Sequence, residues 1–410
     1  MSTASNKRTN PDACPHAAKC GGCQLQNMTY DRQLRWKQNL ANRLLGEFCH
    51  VDRIVGMDDP CHYRNKVQAA FGRRRDGTVI SGVYQSGTHR IVPVDDCMIE
   101  DAAADAIIRD IRLMLPAFRI RVYDERNGTG FLRHVLVRRG FSTGEIMVVL
   151  VAASDRFPAK KPFVKELLGK HPEITTLVLN VNPKETNLVL GDREEVLFGR
   201  GFIEDELCGL TFRISPGSFY QINPVQTEKL YRTAISWAGL NEKSSVIDAY
   251  CGIGTIGLAA SPYAGQVTGV ELNRGAVKDA IANAKRNGIK NARFYAGDAG
   301  QFMKAMAEDG LKADVVFMDP PRAGSTRTFI DCVAELQPDR VVYISCNPET
   351  QARDLKLFAA RGYTAVRIRP FDMFPWTNHV ETVCCLYHHK KDFISVPYEL
   401  KDTKYLEKIK

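Results

Sequence analysis

A chain of 410 residues is longer than the roughly 250–300 at which a single hydrophobic core stops growing, so two cores are expected. Its 44% apolar and 25% charged residues are those of an ordinary globular protein; no stretch approaches the roughly 20 apolar residues of a membrane span and residues 1–10 lack a signal-peptide core, which predicts a cytoplasmic protein without a membrane partner. In that compartment the 12 cysteines are not a disulfide framework, and the net charge of +9, gathered at Arg73–Arg75 and along Arg133–Arg139, suits a polyanionic partner.

Cys14, Cys20 and Cys23 fall within ten residues, with Gly21 and Gly22 in the last interval. Glycines let the backbone wrap until neighbouring thiolates converge, which zinc and iron–sulfur sites both require. A fourth ligand must come from Cys49, Cys61 or Cys97, and Cys97 follows a predicted strand on a loop that could deliver it. Spacing alone does not choose iron over zinc.

From Asn27 to about Glu47 the apolar positions Met28, Tyr30, Leu34, Trp36, Leu40, Leu44 and Leu45 predict one amphipathic helix. Strands are predicted at 67–71, 79–84, 118–123, 132–139, 145–153, 176–180 and 196–199, and helices at 102–114 and 159–168. In 118–123, Phe118, Ile120 and Val122 alternate with Arg119 and Arg121, a strand with one basic face. This half, residues 1–215, is α+β.

After Ser215–Ser218 strands alternate with helices, the pattern of a parallel sheet over 216–410. A strand ending in Asp248 runs into Gly252-Ile-Gly254, where glycines bring backbone against a ligand. The next strand ends in Glu271, a carboxylate able to accept both hydroxyls of a ribose. Asp298 follows the third strand and Asp319-Pro-Pro-Arg322 the fourth. The neutral glycine turn suits a ligand without phosphate, and this order of acids is that of S-adenosylmethionine (SAM)-dependent methyltransferases. A fifth strand, Arg340–Ile344, stops at Ser345-Cys346-Asn347-Pro348, which presents Cys346 to the cleft beyond the sheet edge. Near the end, Phe371-Asp-Met-Phe-Pro-Trp-Thr-Asn-His379-Val-Glu381 supplies a loop and a strand.

With Ser218-Phe-Tyr-Gln221, these motifs resemble the RNA (uracil-C5)-methyltransferase family, in the branch that acts on 23S ribosomal RNA and carries a [4Fe–4S] cluster. The resemblance spans Cys14 to about Cys385. It implies a Rossmann-like SAM-dependent domain behind an α+β iron–sulfur and RNA-binding domain, with the helix after Cys23 crossing to pack on the catalytic domain. It makes Cys346 the nucleophile and Glu381 the base. It assigns SAM contacts to Gln221, Tyr250, Glu271 and Asp319, with Thr255 and Asp298 as lesser ones, and cluster ligation to Cys14, Cys20, Cys23 and Cys97. The substrate would be an extruded uridine of 23S rRNA and the enzyme a monomer. A transfer RNA uridine is the alternative target, and a non-catalytic iron–sulfur RNA-binding protein the alternative class. Two departures stand out: the 13 residues before Cys14 leave no room for the β-barrel that often opens members of this branch, and the charged tail from His388 to Lys410 matches no motif.

Overall fold

A computed structural model describes residues 14–184 and 188–389; residues 1–13, 185–187 and 390–410, which include most of the charged tail, lie outside the described residues. Two seven-stranded sheets carry the chain.

The first runs in the order 91–93, 79–84, 66–73, 132–139, 146–152, 174–181, 193–198. Its pairs are antiparallel except 146–152 with 174–181. Helices Ala102–Met114 and Lys160–Lys170 cover one face, where Ile107, Ile111, Phe163 and Leu167 meet Val135, Val137, Val148 and Leu150. The alternate residues Leu136, Met147, Val149 and Val151 point the other way, into a core shared with Phe212, Tyr231 and Trp237. Burial on both faces explains why 146–152 reads as an unbroken apolar run.

The second sheet has the order 292–296, 266–271, 245–249, 315–318, 340–345, 381–388, 363–371. Its first five strands are parallel, and Glu381–His388 inserts antiparallel between Arg340–Ser345 and the edge strand Tyr363–Phe371. Two Asn-Pro pairs start the helices that flank it: Asn223 and Asn347 cap Pro224–Ala238 and Pro348–Ala359, with proline at the first helical turn, where no N–H is needed.

Three expectations are corrected. Residues 118–123 form no strand; Ile120 N–H donates to Leu115 O at 2.9 Å and Arg119 takes a left-handed φ of 55°, so the stretch closes the preceding helix and leaves only an isolated bridge, Val122 to Leu132. Within 132–139, Arg133 and Arg138 are buried rather than free to meet a polyanion. Arg133 donates to Asn182 O and Lys184 O, and Arg138 to Pro216 O and Ser218 O, so both are internal ties. The exposed basic turn is Arg73–Arg75.

The third correction concerns the N-terminal helix, observed at Tyr30–Leu45. It packs on Pro348–Ala359 and Tyr363–Phe371, and its buried stripe is Gln33, Lys37, Ala41 and Leu45, while Trp36 stays 36% exposed. The buried face is half polar because it meets polar backbone. Lys37 Nζ sits 2.5 Å from Asp372 with both side chains fully buried, and donates to Phe374 O at 3.0 Å. Burial lowers the Lys37 pKa and the Asp372 charge opposes that shift. Residues Val51 and Val55 then run beside Ile368 and Phe371 as an added edge of the second sheet.

Lys37→Ala strands the Asp372 carboxylate without its cation. It is expected to cost about 3–5 kcal/mol of stability, read as a lower denaturation midpoint, and Lys37→Met with Asp372→Asn is expected to recover much of the loss.

Candidate active site

The carboxyl ends of the parallel strands form one edge, where open α/β sheets bind ligands. Asp248 turns inward and accepts from Gly257 N–H at 3.0 Å, bracing the loop from below. A Cβ on Gly257 would lie 2.8 Å from Asp248 Oδ2, which is why this position has none. Gly252 and Gly254 both take left-handed conformations, with φ of 54° and 84°. Glu271 is held at the tip of its strand by N–H groups of Gly252 at 3.1 Å and Asn273 at 2.8 Å.

The other residues assigned to SAM are dispersed along this edge. Tyr250 lies against Phe329 with ring centroids 5.2 Å apart. Thr255 opens the helix Thr255–Ala260, its hydroxyl 3.0 Å from Tyr231 Oη. Asp298 caps Ala299–Glu308 by accepting from Gln301 N–H, so part of its hydrogen-bonding capacity is structural. Gln221 Nε2 reaches Asp319 Oδ2 at 3.4 Å, and Asn65, just before the strand 66–73, donates to Gln221 O at 3.1 Å.

Cys346 and Glu381 meet through strand register. Ser345 pairs with Thr382 in the antiparallel ladder, so the next residue on one strand, Cys346, lies opposite the preceding residue on the other, Glu381. Asp319, at the end of the neighbouring parallel strand, completes the group. Burial, and then Asp319, push the Glu381 carboxyl up to about 8, while Arg322 opposes the shift. Burial alone raises Asp319 to about 7. The Cys346 thiol is raised to about 11 by burial, Glu381 and Asp319, against a lowering by Arg322. Arg322 is therefore the cation of this group. Its position directly after Asp319-Pro-Pro is the only sequence signal it carries, too little to assign it a role.

Cys14, Cys20, Cys23 and Cys97 line one cavity of about 260 Å³, together with Gln26 and Arg64; Cys49 and Cys61 do not line it. Gly21, at φ 71°, reverses the chain between Cys20 and Cys23. Polar groups are aimed at the sulfurs: the Gly22 N–H at Cys20, the Gln26 side chain at Cys23, and the N–H groups of Ile99 and Glu100 at Cys97. Among the described residues no three His, Cys, Asp or Glu side chains meet closely enough to hold one ion. Four thiols lining one cavity are the donor set that zinc and iron–sulfur sites both draw on.

A family model for tRNA (uracil-5-)-methyltransferase matches residues 188–390. An uncharacterized RNA methyltransferase of Halalkalibacterium halodurans is 44% identical over 378 residues, covering 91% of this chain and 82% of the relative. One of Clostridium acetobutylicum is 42% identical over 386 residues, covering 92% and 84%. The solved Pyrococcus abyssi tRNA (uracil-54, C5)-methyltransferase, in complex with S-adenosyl-L-homocysteine, superposes with a TM-score of 0.74 at 29% identity, covering 89% of this chain and 85% of that one. Sheet order, glycine loop and acid-lined edge define a SAM-dependent methyltransferase. The chain belongs to the RNA (uracil-C5)-methyltransferase family, whose substrate is RNA. Among the described residues no helix is long and apolar enough to cross a membrane.

The buried acids weaken the fold that holds them. A carboxyl with a raised folded pKa costs nothing while protonated in acid, and costs increasingly more as pH rises from about 4, its unfolded value, towards its folded value. Glu381→Gln is therefore expected to stabilise the SAM-free protein by about 1–3 kcal/mol near pH 8 and not near pH 4, measured by denaturant unfolding at both.

Proposed function

We propose that this protein methylates carbon 5 of a uridine in 23S ribosomal RNA, with Cys346 as nucleophile and Glu381 as general base. The observation that carries the reading is the register that sets Cys346 opposite Glu381 at the sheet edge beside Asp319. Carbon 5 of uracil is a weak nucleophile. Addition of the Cys346 thiolate to carbon 6 moves electron density into an enolate, and carbon 5 then takes the methyl group from the SAM sulfonium, leaving S-adenosylhomocysteine. Glu381 removes the proton from carbon 5, the electron pair reforms the 5,6 double bond, and the Cys346 thiolate leaves. The uridine must be extruded from its stack to reach this edge.

In this reading Glu271 accepts from the ribose hydroxyls of SAM, and Gln221, Tyr250, Thr255, Asp298 and Asp319 supply further contacts. Residues 216–410 form the methyltransferase unit, and 1–215 the cluster and RNA-binding unit, from which the helix Tyr30–Leu45 crosses over. Cys14, Cys20, Cys23 and Cys97 hold a [4Fe–4S] cluster that shapes this unit. No step of the reaction needs its electrons. The enzyme acts as a cytoplasmic monomer, where ribosomal RNA is modified.

The cysteine quartet supports the ribosomal target, since it is the feature by which the chain resembles the ribosomal branch. A second reading, a transfer RNA uridine, is favoured by the likeness to the Pyrococcus abyssi enzyme. A purely RNA-binding protein would not need the thiol, the base and the glycine loop kept together.

Cys346→Ala is expected to lower methylation by about 10³-fold or more while SAM still binds; normal turnover would remove the nucleophile. Glu381→Gln is expected to slow turnover by about 10²–10⁴-fold and to accumulate covalent protein–RNA adducts on denaturing gels. Anaerobically purified protein should be brown with about four irons per chain, and stoichiometric zinc would overturn the cluster. Mapping 5-methyluridine in RNA from cells lacking the gene decides the target: loss from 23S rRNA supports the ribosomal reading, loss from transfer RNA the second.

A further inference from the structure

Arg322 is the cation that opposes the two acids around Cys346, yet its side chain is exposed, and among the described residues no carboxylate lies within ion-pair distance of it. What holds it is an imidazole: Arg322 Nη2 lies 2.8 Å from His379 Nδ1. A guanidinium only donates, so His379 must be neutral and accept at Nδ1. His379 is itself fixed. Its N–H donates to Thr377 Oγ1 at 3.3 Å, and its ring stands edge-on to Phe374 with centroids 6.0 Å apart. The other side of Arg322 is anchored through its backbone, whose carbonyl accepts from Asn347 Nδ2 and Thr350 Oγ1, both at 3.4 Å, at the cap and in the first turn of the helix that follows Cys346.

The charges that reach His379 come from three elements and share one sign: Arg322 after the fourth parallel strand, Lys37 of the crossing helix, and Arg64 before the first sheet. Lys37 is neutralised by Asp372, and Glu381 with Asp319 and Glu100 lie on the far sides of Arg322 and Arg64, so the charges felt at the imidazole itself are cationic. Partial burial first, and then these cations, hold the His379 pKa below its ordinary value. Protonation would remove the acceptor and add a like charge next to Arg322.

We propose that neutral His379 is a positioning residue that holds Arg322 over the cleft, so that its charge favours the thiolate of Cys346 against Asp319 and Glu381. The inference rests on the reading of Cys346 as nucleophile. It makes covalent addition, not only proton removal, sensitive to acid: as pH falls through the His379 pKa, Arg322 is released and the thiol becomes harder to ionise.

The test follows adduct formation with an RNA containing 5-fluorouridine at the target, because carbon 5 then has no proton to lose and the reaction stops after addition and methyl transfer. The wild-type rate rises with thiolate fraction, and its profile is expected to steepen in acid, below about 6.5. His379→Ala is expected to lose about tenfold or more in adduct rate near pH 8, with SAM affinity unchanged. His379→Asn, whose Oδ1 can take the place of Nδ1 and cannot be protonated, is expected to recover most of that rate and to lose the steepening. If His379→Ala matches wild type near pH 8, or His379→Asn keeps the steepening, His379 does not position Arg322. If Cys346→Ala still forms the adduct, the nucleophile assignment itself has failed, which separates the two outcomes. A drop in both His379 variants accompanied by a lower unfolding midpoint in both would assign the residue a merely structural role and overturn the proposal.

Discussion

The arrangement of the site depends on one strand running against its neighbours. A purely parallel sheet would bring every strand to the cleft by its carboxyl end, so two residues from adjacent strands would each be followed by a loop leading away. Because Glu381–His388 is antiparallel, its amino end starts at the edge where Arg340–Ser345 finishes. The last residue before one loop and the first after another thus become direct neighbours, with backbone hydrogen bonds rather than loop packing setting their separation.

That strand can begin where it does only if the loop before it is anchored. Trp376 takes a positive φ of 70°, unfavourable for a bulky side chain, and the N-terminal segment makes it tolerable. Gln33 accepts from its backbone N–H at 3.0 Å, Leu25 donates to its carbonyl at 2.9 Å, and its indole donates to Pro60 O at 2.9 Å. Tyr63 and Ile99 bury the ring, and Cys23 and Cys97 border the same small core. The cysteine cavity therefore borders the core that seats the Trp376 loop. Whatever orders the cysteines also stiffens the loop that delivers His379 and Glu381.

The electrostatics of the edge favour a cationic co-substrate. Asp248 and Glu381 are buried and Asp319 partly so, and all three have raised pKa values, so the protein alone keeps them largely protonated at neutral pH or balanced near it. A sulfonium beside them stabilises their charged forms and the Cys346 thiolate together. Stability is lost at the site so that charge can be used there, the usual compromise of an active site that must hold acids away from water.

Much of this was legible in the chain. Acids at the ends of apolar runs, glycines after the first of them, and Asn-Pro after a strand are local signals, and local sterics and hydrogen bonding determine what they do: they placed the methyltransferase sheet, its ligand edge and the helix starts. The three clustered cysteines were visible for the same reason, because a short wrap needs only its own glycines. Other features were decided by contacts distant in sequence. The run 118–123 alternates like a strand, yet helix closure at Leu115 won. Arg133 and Arg138 look like a basic face, but carbonyls from 182–184 and 216–218 claim them. The crossing helix buries Lys37 rather than Trp36 because Asp372, 335 residues away, supplies the counter-charge. Cys346, Glu381 and Arg322 were nameable as residues, but only the antiparallel register makes the first two neighbours, and only the fold brings His379 to Arg322. Periodicity and turn chemistry act over a few residues, whereas a charge or a thiol acquires its role from whatever the tertiary structure sets within a few ångströms of it.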